Sequence, residues 1–315
     1  TITPRGDRRV VEVVPKAGAF IARRRWETRY PVALIEHVLA VKGEKSFLDE
    51  IARDEDPAYV EHHIRWDVFS YDAPESFAGA RILDFGSGAG ASSVVLARLL
   101  PDSARIVGVE LLEQHVALAE RRVAHHGVAD RVAFHRSPDG EHLPEGIGQF
   151  DAIVFSAVFE HLLPAERRTL LPRIWAHLKP GGTLYLDQTP YRWFPVETHT
   201  TGWPLLNYVP DPLAHRLVRL HPRSAPDESW ESMLRRGVRG GTPSQVVRLL
   251  GPDAALRLPS RQGVRDPIDL WYRVSASARF PAMKAAMRAG MRLVRAATGV
   301  VMVPSMALAI GKRAR

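Results

Sequence analysis

The sequence predicts an α/β protein in which helices cover both faces of a mainly parallel sheet. From Arg81 onward, strand-like and helix-like segments alternate as far as residue 188. The first strand-like run, RILDF at 81–85, ends in a glycine-rich turn that precedes a helix-like segment. Each connection between successive strands is long enough for a crossover between parallel neighbours.

Short apolar runs that end at turn residues predict the strands of this sheet. Helices are predicted after the first, second and fourth of these strands, so we expect the first five strands to run parallel to one another. The predicted strands are 81–85, 104–110, 131–136, 151–156 and 183–188, followed after a long gap by 254–260 and 305–313.

Apolar residues at helical spacing, together with terminal proline or glycine residues, predict the helices. The best-defined one, 242–251, has Thr242 as N-cap, Pro243 at its first position and Gly251 at its end. The other predicted helices are 30–43, 57–72, 92–100, 111–127, 164–182 and 280–299.

The alternation of elements divides the chain into two predicted parts. Residues 1–79 precede the α/β core and are expected to form a helical cap, and residues 80–315 are expected to form the main domain. Residues 189–241 interrupt that domain, because they are rich in proline, tryptophan and arginine and have no clean periodicity. We expect them to form a partly irregular insertion that covers the substrate after the fifth strand.

The composition excludes several kinds of site and segment. The chain has no cysteine, so disulfides, thiolate nucleophiles and cysteine-ligated zinc are excluded. Hydrophobic residues make up 45% of the chain, which is enough to bury a full core. We see neither a signal-like apolar segment nor a run of about 18 apolar residues, and therefore expect a cytoplasmic location without a spanning helix.

The net charge of +8 is concentrated at the two ends of the chain. Residues 1–30 hold eight Lys/Arg and three Asp/Glu, and residues 280–315 hold seven Lys/Arg and no acid. Such an excess permits an anionic partner. In the predicted helix 280–299, a basic stripe adjoins an apolar one that consists of Phe280, Met283, Met287, Met291 and Val294. We expect this helix to pack on the core, with peripheral membrane contact as the alternative.

The glycine cluster after the first strand fits two classes of cofactor site. Gly86, Gly88 and Ala91 satisfy the dinucleotide pattern G-x-G-x-x-A, and glycines let the backbone approach a ligand closely. However, Asp84 lies two residues before the cluster, where its charge would repel a pyrophosphate and attract an ammonium group. Glu110, at the end of the second strand, could accept hydrogen bonds from two ribose hydroxyls. Glu110 fits either cofactor class, but Asp84 and the segment DGEHLP at 139–144 disfavour a nicotinamide-dependent oxidoreductase.

Five motifs in this order resemble those of class I S-adenosylmethionine-dependent methyltransferases. The resemblance is close over residues 80–188 and looser through residue 315. It implies a Rossmann-like, seven-stranded sheet whose last strand, 305–313, is antiparallel. It also implies S-adenosylmethionine as cofactor and S-adenosylhomocysteine as product. The motifs are Asp84–Gly90, Glu110, Asp139–Pro144, Phe150–Leu162 and Leu178–Leu186.

The same resemblance implies a role for each cofactor-binding residue. The three glycines would contact the methionyl part, Asp84 would orient its ammonium group, and Glu110 would hold the ribose diol. Two neighbouring residues would hold the adenine, and a serine after the fourth strand would lie near the amino-acid end. The glycines are Gly86, Gly88 and Gly90, the adenine-binding pair is Asp139 and Gly140, and the serine is Ser156.

Methyl transfer to a hydroxyl requires a group that accepts its proton, so His, Asp and Glu residues near the strand ends are candidates. The segment FEHL at 159–162 offers Glu160 and His161. Some quinone-type O-methyltransferases have E-x-x-E-H at this point, with proposed metal binding. Ala157 stands here in place of the first glutamate, so no metal is expected. For His161, a hydrogen bond to the backbone is favoured over a catalytic role.

The segment 189–210 directly follows the fifth strand and should arch over the methyl-transfer site. His199 is the leading candidate for the general base, with Glu197 as its orienting partner. A weaker resemblance links this segment to bacterial O-methyltransferases that act on small molecules or cell-envelope saccharides and glycolipids. Residues 189–265 hold eleven Arg and six Asp/Glu, which suits an anionic acceptor. The expected substrate-binding residues are Tyr191, Arg192, Trp193 and Trp203.

Two alternatives to O-methylation remain open. The basic charge permits an RNA or protein methyltransferase, although the amine-methylation motif N-P-P-Y is replaced here by SAVFEHL and no RNA-binding module is evident. DNA is not an expected partner. The other alternative is a regulatory protein that keeps the fold and the cofactor but does not catalyse methyl transfer.

Overall fold

The computed structural model describes residues 1–14, 23–221, 227–275 and 280–314. Within these ranges, no helix has the length and apolar character needed to cross a membrane. The strands are β1 Ile2–Arg5, β2 Arg8–Glu12, β3 Arg25–Thr28, β4 Arg81–Phe85, β5 Arg105–Glu110, β6 Val132–Arg136, β7 Phe150–Ser156, β8 Leu178–Pro190, β9 Ala254–Arg257 and β10 Ser305–Lys312.

Helices follow β4, β5 and β7, as the sequence predicts, whereas residues 137–149 between β6 and β7 form no helix. Short helical turns also occur at Pro57–Glu61, Ile64–Val68, Pro74–Phe77, Phe159–His161 and Leu206–Tyr208. The helices are α1 Val32–Lys42, α2 Phe47–Glu55, α3 Ala91–Leu99, α4 Glu113–His125, α5 Pro164–Ala176, α6 Asp211–Val218, α7 Trp230–Arg235, α8 Pro243–Leu250, α9 Pro267–Val274 and α10 Pro281–Thr298.

Seven strands form one mostly parallel sheet, in the order β6–β5–β4–β7–β8–β10–β9. The strand β10 pairs antiparallel with β8 and with β9. The α/β fold class and the antiparallel last strand that the sequence predicts are therefore confirmed. The chain also divides into two compact units, residues 1–65, 74–139 and 144–146, and residues 66–73, 140–143 and 147–315. This division does not follow the boundary expected at residue 79.

The first unit contains β4, β5 and β6, which pair in parallel with Asp84 opposite Gly108 and Glu110 opposite Arg136. The helices α1 and α2 pack in the same unit, on a core that includes Ala89 of the glycine turn. A three-stranded antiparallel sheet, β1–β2–β3, also belongs to it, so the predicted helical cap is not purely helical. Residues 57–68 form one unbroken helical stretch with a kink at Tyr59, so most of the helix expected over 57–72 is present.

The second unit contains β7 and β8, which pair in parallel with Ser156 opposite Asp187. The segment predicted to be irregular, 189–241, includes two helices, α6 and α7, and the short turn at Leu206–Tyr208. These elements share a small apolar core of their own. The core residues are Leu206, Ala214, Val218, Met233 and Val238.

The helix α10 packs only part of its apolar stripe, with Met287 and Val294 half-buried. Met291 is the buried residue of this helix, whereas Phe280 and Met283 are 53% and 55% exposed. The neighbouring basic stripe is held by acids of α9, with Arg295 donating to Asp266 at 2.7 Å.

Candidate active site

The glycine turn after β4 is held by main-chain hydrogen bonds of the first unit. The N–H groups of Gly86 and Ser87 donate to the Val109 carbonyl at 2.9 and 3.1 Å, and the Gly90 N–H donates to Ser87 at 2.9 Å. Gly86, Gly88 and Gly90 have φ values of 71°, 53° and 82°. These left-handed conformations favour glycine, and the turn leads directly into the first turn of α3.

Gly88 and Gly90 are required for different physical reasons. A Cβ atom on Gly90 would stand 2.7 Å from the Cβ of Ala119, so this glycine lets the turn pack against α4. A Cβ atom on Gly88 would meet no heavy atom within 4 Å. The face of the turn at Gly88 is therefore open, as close approach of a ligand requires.

Glu110 lies at the end of β5, beside the open face of the glycine turn. Its carboxylate accepts from the Gly88 N–H at 2.9 Å and from the Leu112 N–H at 3.0 Å. His115 lies 3.5 Å from the same carboxylate. Burial raises the pKa of Glu110, but the hydrogen bonds from His115 and from the Leu112 N–H outweigh it and hold the pKa below its ordinary value. Glu110 is therefore an ionised acceptor next to the turn, which suits a ribose diol.

Asp84 is buried at the end of β4 and accepts hydrogen bonds from two serines of the first turn of α3. The hydroxyls of Ser92 and Ser93 lie 2.7 and 2.6 Å from its Oδ2. Burial raises the pKa of Asp84, and the two serine hydrogen bonds oppose that rise. These contacts fix the carboxylate and link β4 to α3, in addition to any contact with an ammonium group.

A buried arginine that the sequence analysis missed holds the glycine turn in place. The side chain of Arg122, on α4, is 0% exposed. It donates to the Ala89 carbonyl at 2.7 Å, to the Glu50 carboxylate at 3.0 Å and to the Tyr30 hydroxyl at 2.8 Å. One signal was available, because Arg122 shares the buried face of α4 with Leu118 and Ala119.

The remaining predicted cofactor residues lie at loop or strand ends. Asp139 and Gly140 are both exposed in the loop after β6. Ser156 ends β7, and its hydroxyl accepts from Gln188 at 2.8 Å. The adenine and amino-acid contacts of these three residues stay predictions.

A cluster of three titratable residues lies in the second unit. It consists of Glu160, His161 and His199, whose nearest side-chain N or O atoms all lie within 4.8 Å of one another. Glu160 is fully buried, and its Oε2 accepts from the Thr189 hydroxyl at 2.9 Å. His161 forms the expected backbone hydrogen bond, from Nδ1 to the Arg235 carbonyl at 2.6 Å. We call this group the EHH cluster below.

Glu197 orders the turn that carries His199 and does not act as the expected partner of its ring. The carboxylate accepts from the backbone N–H groups of His199 at 2.8 Å, of Thr200 at 3.0 Å and of Thr201. Glu197 is 1% exposed, so this turn is capped from inside. Burial and the charge of His161 lower the pKa of His199, whereas the charge of Glu197 raises it.

The four predicted substrate-binding residues differ from one another in exposure and in contacts. Tyr191 is buried, Trp203 packs on the small apolar core, and the Arg192 guanidinium donates to the Asn207 carbonyl. Trp193 is 45% exposed, and its ring lies 6.0 Å from that of Tyr208, which is 48% exposed. Trp193 and Tyr208 therefore form an exposed aromatic pair, of which the sequence analysis identified only the tryptophan.

The arginines of residues 189–241 are largely engaged inside the second unit. Arg239 donates to the carbonyls of Leu206 and Val209 at 3.0 and 2.6 Å. Arg235 and Arg236 pair with glutamates, Glu166 and Glu228, at 2.7 and 2.6 Å. These arginines are positioned by internal partners, so the arginine content by itself does not favour an anionic acceptor.

Comparison with known proteins gives a match for the central part of the chain. Residues 82–182 match the family model of a methyltransferase domain. The arsenite methyltransferase of Aquipseudomonas alcaligenes is 32% identical over 122 residues, which cover 36% of this chain and 34% of that protein. The mitochondrial ubiquinone biosynthesis O-methyltransferase of Rattus norvegicus is 30% identical over 118 residues, which cover 37% and 33%. The chain matches only about a third of the length of these relatives.

Two solved structures are similar over most of the chain. The S-adenosylmethionine-dependent methyltransferase SibL, in its apo form, is 14% identical, with 89% of this chain and 62% of that chain covered and a TM-score of 0.47. An O-methyltransferase family protein from Burkholderia thailandensis is 18% identical, with 84% and 60% covered and a TM-score of 0.45.

Proposed function

Residues 82–182 are a methyltransferase domain of the class I S-adenosylmethionine-dependent type, and from this premise we propose that the chain methylates a hydroxyl group. The donor is S-adenosylmethionine, and the acceptor is a small molecule, a saccharide or a glycolipid. The observation that carries the cofactor assignment is Glu110, an ionised carboxylate that lies against the open face of the glycine turn at Gly88.

Within this proposal, the residues of the glycine turn hold the cofactor. The Gly88 N–H already donates to Glu110, so the carboxylate and the turn are fixed relative to each other before a ligand binds. A carboxylate has enough acceptor positions to keep this bond and to accept from both ribose hydroxyls. Asp84 orients the ammonium group, and Asp139, Gly140 and Ser156 are the further contacts expected from the resemblance.

The reaction is an in-line displacement at the methyl carbon. The acceptor oxygen forms a bond to that carbon while the carbon–sulfur bond breaks, and its electron pair stays on sulfur to give S-adenosylhomocysteine. The hydroxyl proton passes to a ring nitrogen of His199. The lowered pKa of His199 supports this role, because its imidazole is then neutral near pH 7 and can accept a proton.

The exposed aromatic pair supports a saccharide or another flat acceptor. Trp193 and Tyr208 offer ring surface to solvent, and such surfaces pack on the apolar face of a sugar or on a planar ring. The Tyr208 hydroxyl donates to the Trp193 carbonyl at 2.6 Å, which fixes the distance between the two rings. We therefore assign this pair to acceptor binding, together with Tyr191 and Arg192.

The location that goes with this proposal is the cytoplasm. Exposed apolar side chains on α10, such as Leu293 at 72%, support the alternative of peripheral membrane contact, whereas the ion pair between Arg295 and Asp266 opposes it. Co-sedimentation with vesicles that contain anionic lipid separates the two. We expect the protein to stay in the supernatant at physiological ionic strength, and sedimentation that Leu293→Asp abolishes would establish membrane contact.

Calorimetry tests the cofactor assignment. We expect S-adenosylmethionine and S-adenosylhomocysteine to bind with micromolar dissociation constants, and NAD not to bind. Glu110→Ala should weaken binding about 100-fold, because two hydrogen bonds to a charged group contribute about 1.5–3 kcal/mol each, in part offset by rehydration. Glu113→Ala, an exposed carboxylate in the first turn of α4, is the matched control and should bind normally.

A screen of acceptors with methyl-labelled cofactor tests the reaction. We expect label on oxygen of a small-molecule or saccharide acceptor, and loss of turnover in His199→Ala with little change in cofactor affinity. Label that appears on RNA or on protein would refute the acceptor class. Cofactor binding without transfer to any acceptor would favour a regulatory protein.

A further inference from the structure

The EHH cluster brings one buried carboxylate and two imidazole rings together. The Glu160 side chain is 0% exposed, and its Oε1 lies 3.7 Å from His161 Nε2. That oxygen has no hydrogen-bond partner among the residues that the structure describes. A buried carboxylate oxygen without a partner carries a large desolvation cost, so a group that satisfies it is expected here.

The hydrogen bonds around the cluster fix which atoms face inward. His161 uses Nδ1 in its bond to the Arg235 carbonyl, which places the proton on Nδ1 and leaves a lone pair on Nε2. The Thr189 hydroxyl holds the other oxygen of Glu160. In metal sites, histidine ligands commonly donate their other nitrogen to a carbonyl in this way, and ligating carboxylates are themselves hydrogen-bonded.

His199 completes the cluster from a different part of the chain. Its ring centroid lies 5.5 Å from that of His161. A Cβ atom on Gly237 would stand 2.9 Å from His199 Nε2 and 3.3 Å from Glu160 Cγ, so the absence of a side chain there leaves room for the imidazole. The nearby cation, Arg167, donates its nitrogens to the main-chain carbonyls of Leu162 and Gly240.

We propose that Glu160, His161 and His199 bind a divalent first-row metal ion, with Zn²⁺ as the best-fitting one. Two imidazole nitrogens and one carboxylate oxygen are a donor set that zinc takes in catalytic sites, where a fourth position stays open. Donors about 2.0–2.2 Å from a tetrahedral ion stand about 3.3–3.5 Å apart. The 3.7 Å separation of Glu160 and His161 is close to this spacing, and all three donors lie within 4.8 Å of one another, so they must close by up to about 1.5 Å. His161 is half-buried and His199 is exposed, so both rings can adjust.

The ion has a specific consequence for the reaction, and this part rests on the proposed function. An acceptor hydroxyl at the open position would have a lowered pKa, because the cation stabilises the alkoxide. In the metal-loaded protein His199 would act as a ligand and the proton would leave to solvent, so the proton transfer to the His199 ring described above applies to the metal-free protein. Ala157 replaces one glutamate of the related motif, so the sequence predicts no metal; His199, which the fold brings beside Glu160, supplies a different third ligand.

Titration of the chelator-treated protein with Zn²⁺, in the absence of S-adenosylmethionine, tests the site. We expect one ion per chain with a dissociation constant in the micromolar range or tighter. His161→Ala, His199→Ala and Glu160→Gln should each weaken it at least about tenfold, the smaller end of the loss seen when only an outer partner of a ligand is removed. The matched control is His177→Ala, because exposed His177 also has Nδ1 bonded to a carbonyl, that of Gly148 at 2.7 Å.

The outcomes separate this site from the cofactor site. Absence of zinc binding, or equal loss in His177→Ala and His199→Ala, overturns the metal site. Absence of zinc binding is the result expected if Glu160 is protonated and its own proton provides the missing hydrogen bond in the cluster. Glu110→Ala should bind zinc normally while losing S-adenosylmethionine, so failure of the proposed function and failure of the metal site give different results. Circular dichroism of each variant verifies that it is folded.

Discussion

Arg122→Met should destabilise the first unit more than any other single change of a charged residue in it. The variant keeps the length of the side chain but leaves the carboxylates of Glu50 and Asp54 without their buried cation, which lies 3.0 and 3.8 Å away. Burial lowers the pKa of Arg122, but Tyr30, Asp54 and Glu50 outweigh it and hold the pKa above its ordinary value. Breaking a buried ion pair on one side costs about 3–5 kcal/mol.

Thermal and urea unfolding measure this loss. With about 2.1 cal/mol/K of unfolding entropy per residue, the stated loss lowers the Tm by about 5 °C or more for a chain of this length. We also expect about tenfold weaker S-adenosylmethionine binding, because the Ala89 carbonyl loses a charged donor next to the glycine turn. Arg121→Met, one residue earlier and exposed, should change the free energy of unfolding by less than about 0.5 kcal/mol. A loss below about 1 kcal/mol in Arg122→Met would refute the reasoning.

Three further changes test other parts of the structure. Gly90→Ala should lower the free energy of unfolding, measured in urea, by more than Gly88→Ala does. Alanine at Gly88 adds only left-handed backbone strain, about 1–2 kcal/mol, whereas alanine at Gly90 adds the same strain and a 2.7 Å contact with Ala119. Equal losses in the two variants would contradict this. Burial raises the pKa of Asp54, but Arg122 and His126 lower it by a larger amount. The pKa of Asp54 in the folded protein therefore lies below its pKa in the unfolded chain. The ionised Asp54 therefore contributes to the free energy of unfolding above about pH 4, and this contribution is lost as the pH falls through the folded pKa. In Asp54→Asn, the free energy of unfolding should fall less steeply as the pH is lowered through this range. Glu197→Gln should lower the free energy of unfolding by about 1–3 kcal/mol. It should also weaken zinc binding, because the turn that carries His199 loses its carboxylate; unchanged zinc affinity would show that this turn does not position His199.

The sequence predicts the parallel strands well because each is a short apolar run between turn residues. It does not predict β1–β3, because strands such as ITPR at Ile2–Arg5 are polar and largely exposed, and their pairing joins residues as far apart as Arg9 and Thr28. Long-range pairing of this kind leaves no periodic pattern in a short strand.

The candidate site, like the fold, has one part that the sequence predicts and one part that it does not. The glycine turn and Glu110 could be predicted, because their spacing is local to one strand–turn–helix unit and the next strand. The EHH cluster could not be assembled from sequence, since Glu160 and His199 are separated by a long segment whose path depends on tertiary contacts. The role of Glu197 was mistaken for a related reason, because adjacency to His199 does not reveal whether a carboxylate faces the ring or the backbone.

Arg167, Arg192 and Arg239 share a feature that changes how the basic composition of this chain is read. Each donates to main-chain carbonyls of an irregular stretch, those of Gly240, Asn207 and Val209 among them. A neighbouring strand or a helical turn would normally supply these donors, and here guanidinium groups substitute for it. The number of arginines in such a stretch therefore reflects how many main-chain carbonyls lack regular pairing. The same number overstates the positive electrostatic potential that a diffusing ligand would encounter.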